Sequence, residues 1–446
     1  MKIKLSDHFS YGKLIKFTLP TIIMMIFTSI YGVVDGVFVS NFVGSDAFAA
    51  VNLIMPVVMI LGSVGFMIGT GGSAIVSKTL GEGKKEKARE YFSMLIYLCI
   101  VSGVALSVIG IIFIRPIAVV LGASGSIADD CVIYGRTLLV MLTALFLQNA
   151  FQSFLVVAEK PKLGLVVSLL AGFTNMFLDF LFIYVLKLGV FGAALATGIG
   201  QCIPAIAGLV FFMFSKGELR FTGFKLSLRE LGHACYNGSS EMVSELSNSV
   251  VTVLFNLVLM RLAGEAGVAA ISILLYGQFL FNAFYLGFTI GISPIVGFQY
   301  GAKDKKKLRS IYKIAFLFVA VSAVILTVIA EVLATWIITV FTHDPATFEL
   351  AEVGFKIFAV NFLFSGLNIT SSGFFTALSN GKVSAIISFS RTFIFTVLSL
   401  LILPHFLKIY GAWLAVPIAE AVTLLVTVPF HKVYFIGKGE KNYLRG

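Results

Sequence analysis

Charge is scarce in this chain. Of its 446 residues only 12% are Asp, Glu, Lys or Arg while 58% are hydrophobic, and no water-soluble core of that length hides so many apolar side chains. That excludes an ordinary soluble enzyme and makes lipid the expected solvent. Cysteine is sparse too: Cys99, Cys131, Cys202 and Cys235 stand alone, without a C-x-x-C pair or a Cys/His spacing, which excludes a zinc module or redox pair and leaves them as small apolar fillers. Also missing are the DDxxD, HExxH and Ser/His/Asp arrangements that a membrane-embedded enzyme such as a prenyltransferase needs, so no catalytic residue is assigned. A cleaved leader is not expected, because the first apolar run is too long, carries Asp35 and lacks a small-x-small site.

What the chain has in abundance is long apolar runs. Crossing a bilayer takes roughly 20 mostly apolar residues. Such runs lie at 14–40, 51–77, 92–114, 131–156, 163–186 and 192–215, and again at 236–261, 268–298, 311–338, 351–378, 383–406 and 412–436. The fold class expected is therefore an all-α polytopic membrane protein of about twelve transmembrane helices. The net charge of +11 falls in alternate loops: Lys2, Lys4 and Lys13; Lys84, Lys85, Lys87 and Arg89; Arg220, Lys225 and Arg229; Lys303 through Arg309; and Lys438 and Arg445 in the tail. The intervening loops hold acidic residues such as Asp46, Asp129, Asp130 and Asp344. By the positive-inside rule both termini are expected in the cytoplasm of a plasma-membrane protein. The basic surplus then reflects topology and contact with anionic lipid, and not a nucleic-acid partner.

The halves of the chain echo each other. "VGSDAFAA" at 43–50 resembles "AGEAGVAA" at 263–270, and Gly81 with Gly301, and Lys162 with Lys382, are each 220 residues apart. A six-helix unit used twice implies an amino-terminal lobe over 1–218, a linker at 219–235 and a carboxy-terminal lobe over 236–446. An even number of crossings per unit puts the pseudo-twofold axis along the membrane normal, with a cleft between lobes that rock to expose it alternately. A monomer is the expected working unit. Pro20, Pro56, Pro204, Pro294 and Pro417 interrupt apolar runs where helices can bend.

Few ionisable groups sit inside these runs, and a carboxylate at mid-bilayer costs at least ~2.5 kcal/mol, so each needs a reason. Asp35 lies roughly 8 Å below the outer end of the first run. Asp179 in the fifth run and Thr197 in the sixth fall near the same depth, with Asn175 one turn from Asp179 on the same face. Two carboxylates held together cannot both stay ionised cheaply, while carboxylates with an amide and a hydroxyl supply hard oxygen ligands for a small cation. A coupling-ion site for Na⁺ or H⁺ is the functional reading; hydrogen bonding between helices is the plain alternative. In the second half, Glu241 and Glu245 stand one turn apart, and Glu245 matches Arg391 in depth. Those two are expected either to form a buried ion pair, or to leave Glu245 free for a cationic substrate or a proton. Gln148, Gln278 and Asn282 are mid-run polar groups that line a cleft or tie helices together.

Taken in order, Pro20 through Asp35 with "GSDAFAAVNLIMP", the "LGEGKKEKARE" loop, "NMFLDFLFI", "GVFGAALATGIGQ", "SPIVGFQYGAKDKKK" and "IYGAWLAVP" resemble the multidrug and toxic compound extrusion (MATE) family over essentially the whole length. The resemblance implies twelve helices in two lobes, export of small, mostly cationic organic compounds against inward Na⁺ or H⁺, and no other cofactor. It also implies an ion site at Asp35, Asn175, Asp179 and Thr197, and a role for Glu245 or, one turn away, Glu241. A helix-10 acid found in some members has only neutral counterparts here, such as Asn368. A lipid-linked oligosaccharide flippase of the broader superfamily is the alternative, and it would line its cleft with several basic residues.

Overall fold

A backbone inside hydrocarbon has no water to bond, so an apolar run must satisfy its own N–H and C=O groups, and a helix does so locally. The computed structural model describes residues 3–437 and 441–444, without the side chains of residues 36, 37, 40, 41, 45 and 46. The readings placed on Lys2, Lys438, Arg445 and the Asp46 side chain lie outside the described residues. Within them the chain is helical throughout: α1 (Tyr11–Phe42), α2 (Ser45–Gly81), α3 (Lys85–Val120), α4 (Gly125–Val140), α5 (Leu142–Val157), α6 (Pro161–Asp179), α7 (Gly189–Phe214), α8 (Leu228–Gly301), α9 (Lys305–Phe341), α10 (Pro345–Ala359), α11 (Phe362–Ala377), α12 (Gly381–Phe389), α13 (Phe395–Leu407) and α14 (Ile409–His431). Helix α8 is two crossings in one: 74 residues at 1.5 Å each reach about 110 Å, and the stretch breaks at Gly264, whose φ of 63° suits glycine. Counting α8 twice, the bent pairs α4/α5 and α10/α11 once each, and α12 with α13 as one span, twelve crossings result.

All twelve expected runs are present. The difference lies in two bends of 53° that no Pro announces, one between α4 and α5 at Met141 and one between α10 and α11 at Val360 and Asn361. At both the ladder tightens to i→i−3 bonds, Met141 N to Leu138 O and Asn361 N to Phe358 O, each at 3.0 Å. Asn361 Nδ2 also donates to the Phe358 carbonyl at 2.6 Å. Each bend tucks the following short helix, α5 or α11, into the middle of its lobe, where most of its residues are buried.

The repeat is written into the backbone. Left-handed φ recurs at Gly44 and Gly264, Gly83 and Lys303, and Glu159 and Ser379, each pair 220 residues apart. One apolar core fills the first lobe between α2, α3, α4, α5 and α7. The second lobe has a core around Trp413, Phe355 and Phe255 at one end and another around Tyr285, Phe288 and Phe374 at the other.

The lobes meet at one end of the bundle, the end that carries the basic loops. There α2 crosses α8 so tightly that a side chain on Gly81 would strike the Phe298 carbonyl and one on Gly301 the Lys78 carbonyl. Those two contacts are themselves related by the 220-residue repeat. Gly71 and Gly238 make a second close crossing of the same helices, as glycine allows when helix backbones approach in lipid. Gln299 Nε2 donates to the Leu5 carbonyl at 2.8 Å and Lys307 Nζ to the Ser6 carbonyl at 3.1 Å, fastening the amino-terminal segment to the second lobe at that same end.

Candidate functional site

In the half of the first lobe away from that seam, three helices bring the oxygen-bearing residues together. Helix α1 supplies Asp35 and, one turn before it, Tyr31; α6 supplies Asn175 and Asp179; α7 supplies Thr197. Asp35 is 8% exposed, Asn175 2% and Asp179 0%. The carboxyl groups of Asp35 and Asp179 touch, and Asp35 also meets the Thr197 hydroxyl. The Thr197 hydroxyl also lies within donating distance of the Ala193 carbonyl, at 3.1 Å. Among the described residues, both oxygens of Asp179, Oδ1 of Asp35 and both side-chain polar atoms of Asn175 have no hydrogen-bond partner. Buried polar groups are rarely left so. The backbone contributes as well: directly after Asp179, α6 passes into a π-helical turn, Phe180–Val185, the kind of local unwinding that re-aims a side chain and recurs at functional sites.

Sequence reasoning missed Tyr134. This fully buried residue of α4 stands within electrostatic reach of both acids, its hydroxyl turned to Met55 Sδ at 4.0 Å. Its signal was weak, one tyrosine in an apolar run. Gln148 is buried on α5 in contact with Tyr31, so it belongs to the interior of this lobe. No three His, Cys, Asp or Glu converge among the described residues. Two carboxylates, an amide and a hydroxyl are instead a donor set suited to one proton or one small monovalent cation.

The second lobe departs from expectation. Arg391 pairs with Glu420 of α14, Nη1 to Oε1 at 3.4 Å, and not with Glu245. The reason is rotational: matching depths set Glu245 and Arg391 level, but the π-helical turn Ser390–Ile394 that carries Arg391 turns it toward α14. Asn368 Nδ2 donates to the Glu420 carbonyl at 2.9 Å and to its carboxylate at 2.8 Å, and Thr427 Oγ1 donates to Asn368 Oδ1 at 3.0 Å. Glu420 went unremarked in the sequence although the reasoning that singled out Asp35 applies to it equally, a lone carboxylate deep in an apolar run. Glu241 and Glu245 are half-buried, interact with each other, and Glu241 also interacts with Arg391. Asn282 accepts from Ser365 Oγ at 3.1 Å and ties α8 to α11, while Gln278 is half-buried nearby on α8. Pro20 is buried inside an unbroken α1.

Compared with known families, the chain matches the family model described as MatE twice, over residues 20–181 and 242–401. The chain belongs to the MatE family. The two matched stretches divide this MatE protein as the two lobes do. Its relatives include the multidrug export protein MepA of Staphylococcus haemolyticus strain JCSC1435, 24% identical, with 85% of this chain and 84% of that one covered. MepA of Staphylococcus aureus strain MRSA252 is 22% identical over the same shares. Among solved structures, the "outward-facing conformation of a multidrug resistance MATE family transporter of the MOP superfamily" superposes with a TM-score of 0.90 at 23% identity, covering 95% of this chain and 96% of that chain. The MatE protein shares that transporter fold: twelve helices in two lobes. Its relatives and neighbours are transporters and not enzymes.

Proposed function

We propose that this protein is a secondary active multidrug exporter of the plasma membrane, exchanging cationic or amphipathic organic compounds for inward Na⁺ or H⁺. The observation that carries the reading is the pair Asp35 and Asp179, buried in contact with no hydrogen-bond donor to Asp179 among the described residues. Lipid-embedded carboxylates are kept at such cost where something binds and leaves. With the basic loops in the cytoplasm, both termini lie inside, and the glycine seam closes the cytoplasmic end of the cleft. The cleft then faces outward, and the acid pair lies in the outer half, within reach of an entering ion. An ion that binds this pair more tightly in one facing state than in the other shifts the lobes toward that state. The relatives' description as multidrug exporters supports small organic molecules as cargo. Flippase activity gains no support: Arg391, the deep cation on which a pyrophosphate would draw, is committed to Glu420. The working unit is a monomer, since one chain carries both lobes.

Efflux of a fluorescent cationic dye from cells expressing equal amounts of the native protein and of Asp35→Asn and Asp179→Asn tests the reading. Both variants are expected to fall to the level of cells lacking the protein. Undiminished efflux rejects the site.

A further inference from the structure

The two lobes treat their buried acids differently. In the first, Asp35 and Asp179 meet each other and the Thr197 hydroxyl, and among the described residues no cation acts on either. In the second, Glu420 is 3% exposed and has a guanidinium at 3.4 Å. The backbone beneath it is braced: Thr396 Oγ1 donates to the Arg391 carbonyl at 2.7 Å, closing the π-helical turn from which the side chain projects. Its charge also reaches Glu241 of α8, but the ion pair it makes is with Glu420. The other partners of Glu420 are neutral: Asn368 Nδ2 donates to its carboxylate, and Thr427 Oγ1 donates in turn to Asn368 Oδ1. An arginine stays charged at every working pH and cannot diffuse away.

We propose that Arg391 is the tethered counter-ion of the second lobe, neutralising Glu420 so that no exchangeable cation binds there. Ion exchange is thereby left to the first lobe, a consequence that rests on the function proposed above; the occupancy of the second lobe does not. Without the guanidinium, Glu420 becomes a buried carboxylate with no counter-ion of its own, open to a monovalent cation.

The test is binding of radiolabelled Na⁺ to the purified full-length protein in an Asp35→Asn/Asp179→Asn background, where only the second lobe reports. That background is expected to show no saturable binding. Adding Arg391→Gln is expected to create saturable Na⁺ binding where the background has none, because it leaves Glu420 as an uncompensated buried charge. Adding Glu420→Gln as well returns it to background, and Arg391→Lys, which keeps a cation, stays there. A monodisperse Arg391→Gln protein that gains no binding overturns the proposal. Should Arg391→Gln alone not fold, the background protein decides, because its Arg391 is in place: saturable binding abolished by Glu420→Gln overturns the proposal and none upholds it. Binding that persists in the background but ignores Glu420→Gln counts instead against the first-lobe ion site, which separates the two failures.

Discussion

Asp179 shows at the scale of one residue what the site demands. It is fully buried and neither of its oxygens has a donor among the described residues, so a proton or cation is the partner that makes the arrangement affordable. In the proposed ion site Thr197 and Asn175 are the neutral ligands. Thr197→Ala is expected to raise the ion concentration for half-maximal efflux several-fold, as loss of one oxygen ligand does, with dye binding unchanged; Thr197→Ser restores it, and an unaltered concentration dependence counts against the ligand role. Asn368 plays a structural part in the other lobe. Its removal leaves Glu420 short of a donor, and Asn368→Ala is expected to cost about 1–3 kcal/mol, read as a lower thermal unfolding midpoint in detergent. The first-lobe residues were legible in the sequence because depth along a helix is a count of residues. The Arg391–Glu420 pair was not, because which way a residue faces depends on a π-helical turn that no residue type in "SFSRTFIF" announces.

In the proposed outward-facing state helices α2 and α8 close the cleft, and their crossing depends on missing side chains. A Cβ on Gly71 would collide with the Ala234 carbonyl and the Gly238 backbone, whereas Gly232 has nothing within 4 Å. Half-buried Cys235 lies next to Ala234 at this crossing. In a Cys202→Ser protein, Gly71→Val is therefore expected to speed maleimide labelling of Cys235 by opening the seam, while Gly232→Val leaves the rate as it was. Equal rates in folded Gly71→Val protein contradict the role given to the crossing. At the other end of the bundle, Asp344 caps α10, accepting from Thr347 N at 2.8 Å and Thr347 Oγ1 at 2.7 Å. These bonds hold its carboxyl below the usual carboxylate range. A carboxyl with a lowered folded pKa stabilises above its unfolded value and loses that stabilisation as pH falls through the folded one. The stability difference between native protein and Asp344→Ala should accordingly shrink on acidification below about pH 4, and a gap that widens instead contradicts the cap. Spans such as α1 and α9 could be placed from hydropathy, but the bends at Met141 and Asn361 could not, since both arise from a local change of hydrogen-bond register without Pro or Gly.

For the whole molecule, the repeat explains the architecture and its breaches explain the chemistry. The left-handed residues and the Gly81 and Gly301 contacts obey a 220-residue offset, and the two 53° bends fall at matching places in the two lobes. The acids do not: the counterparts of Asp35 and Asp179 are Phe255 and Ser399, and Phe255 is packed in the second lobe's core. That asymmetry could be read by aligning the halves, whereas the end at which the lobes close required the helix crossings. On the two proposals above, one lobe offers a free acid site and the other a neutralised one, so that a single ion biases both facing states.

The most direct measurement is dye movement in proteoliposomes holding native or Asp179→Asn protein, with a Na⁺ gradient and a pH gradient imposed separately. The native protein should move dye under at least one gradient and Asp179→Asn under neither, while still binding dye. Gradient-driven transport by Asp179→Asn at the native rate would contradict the account.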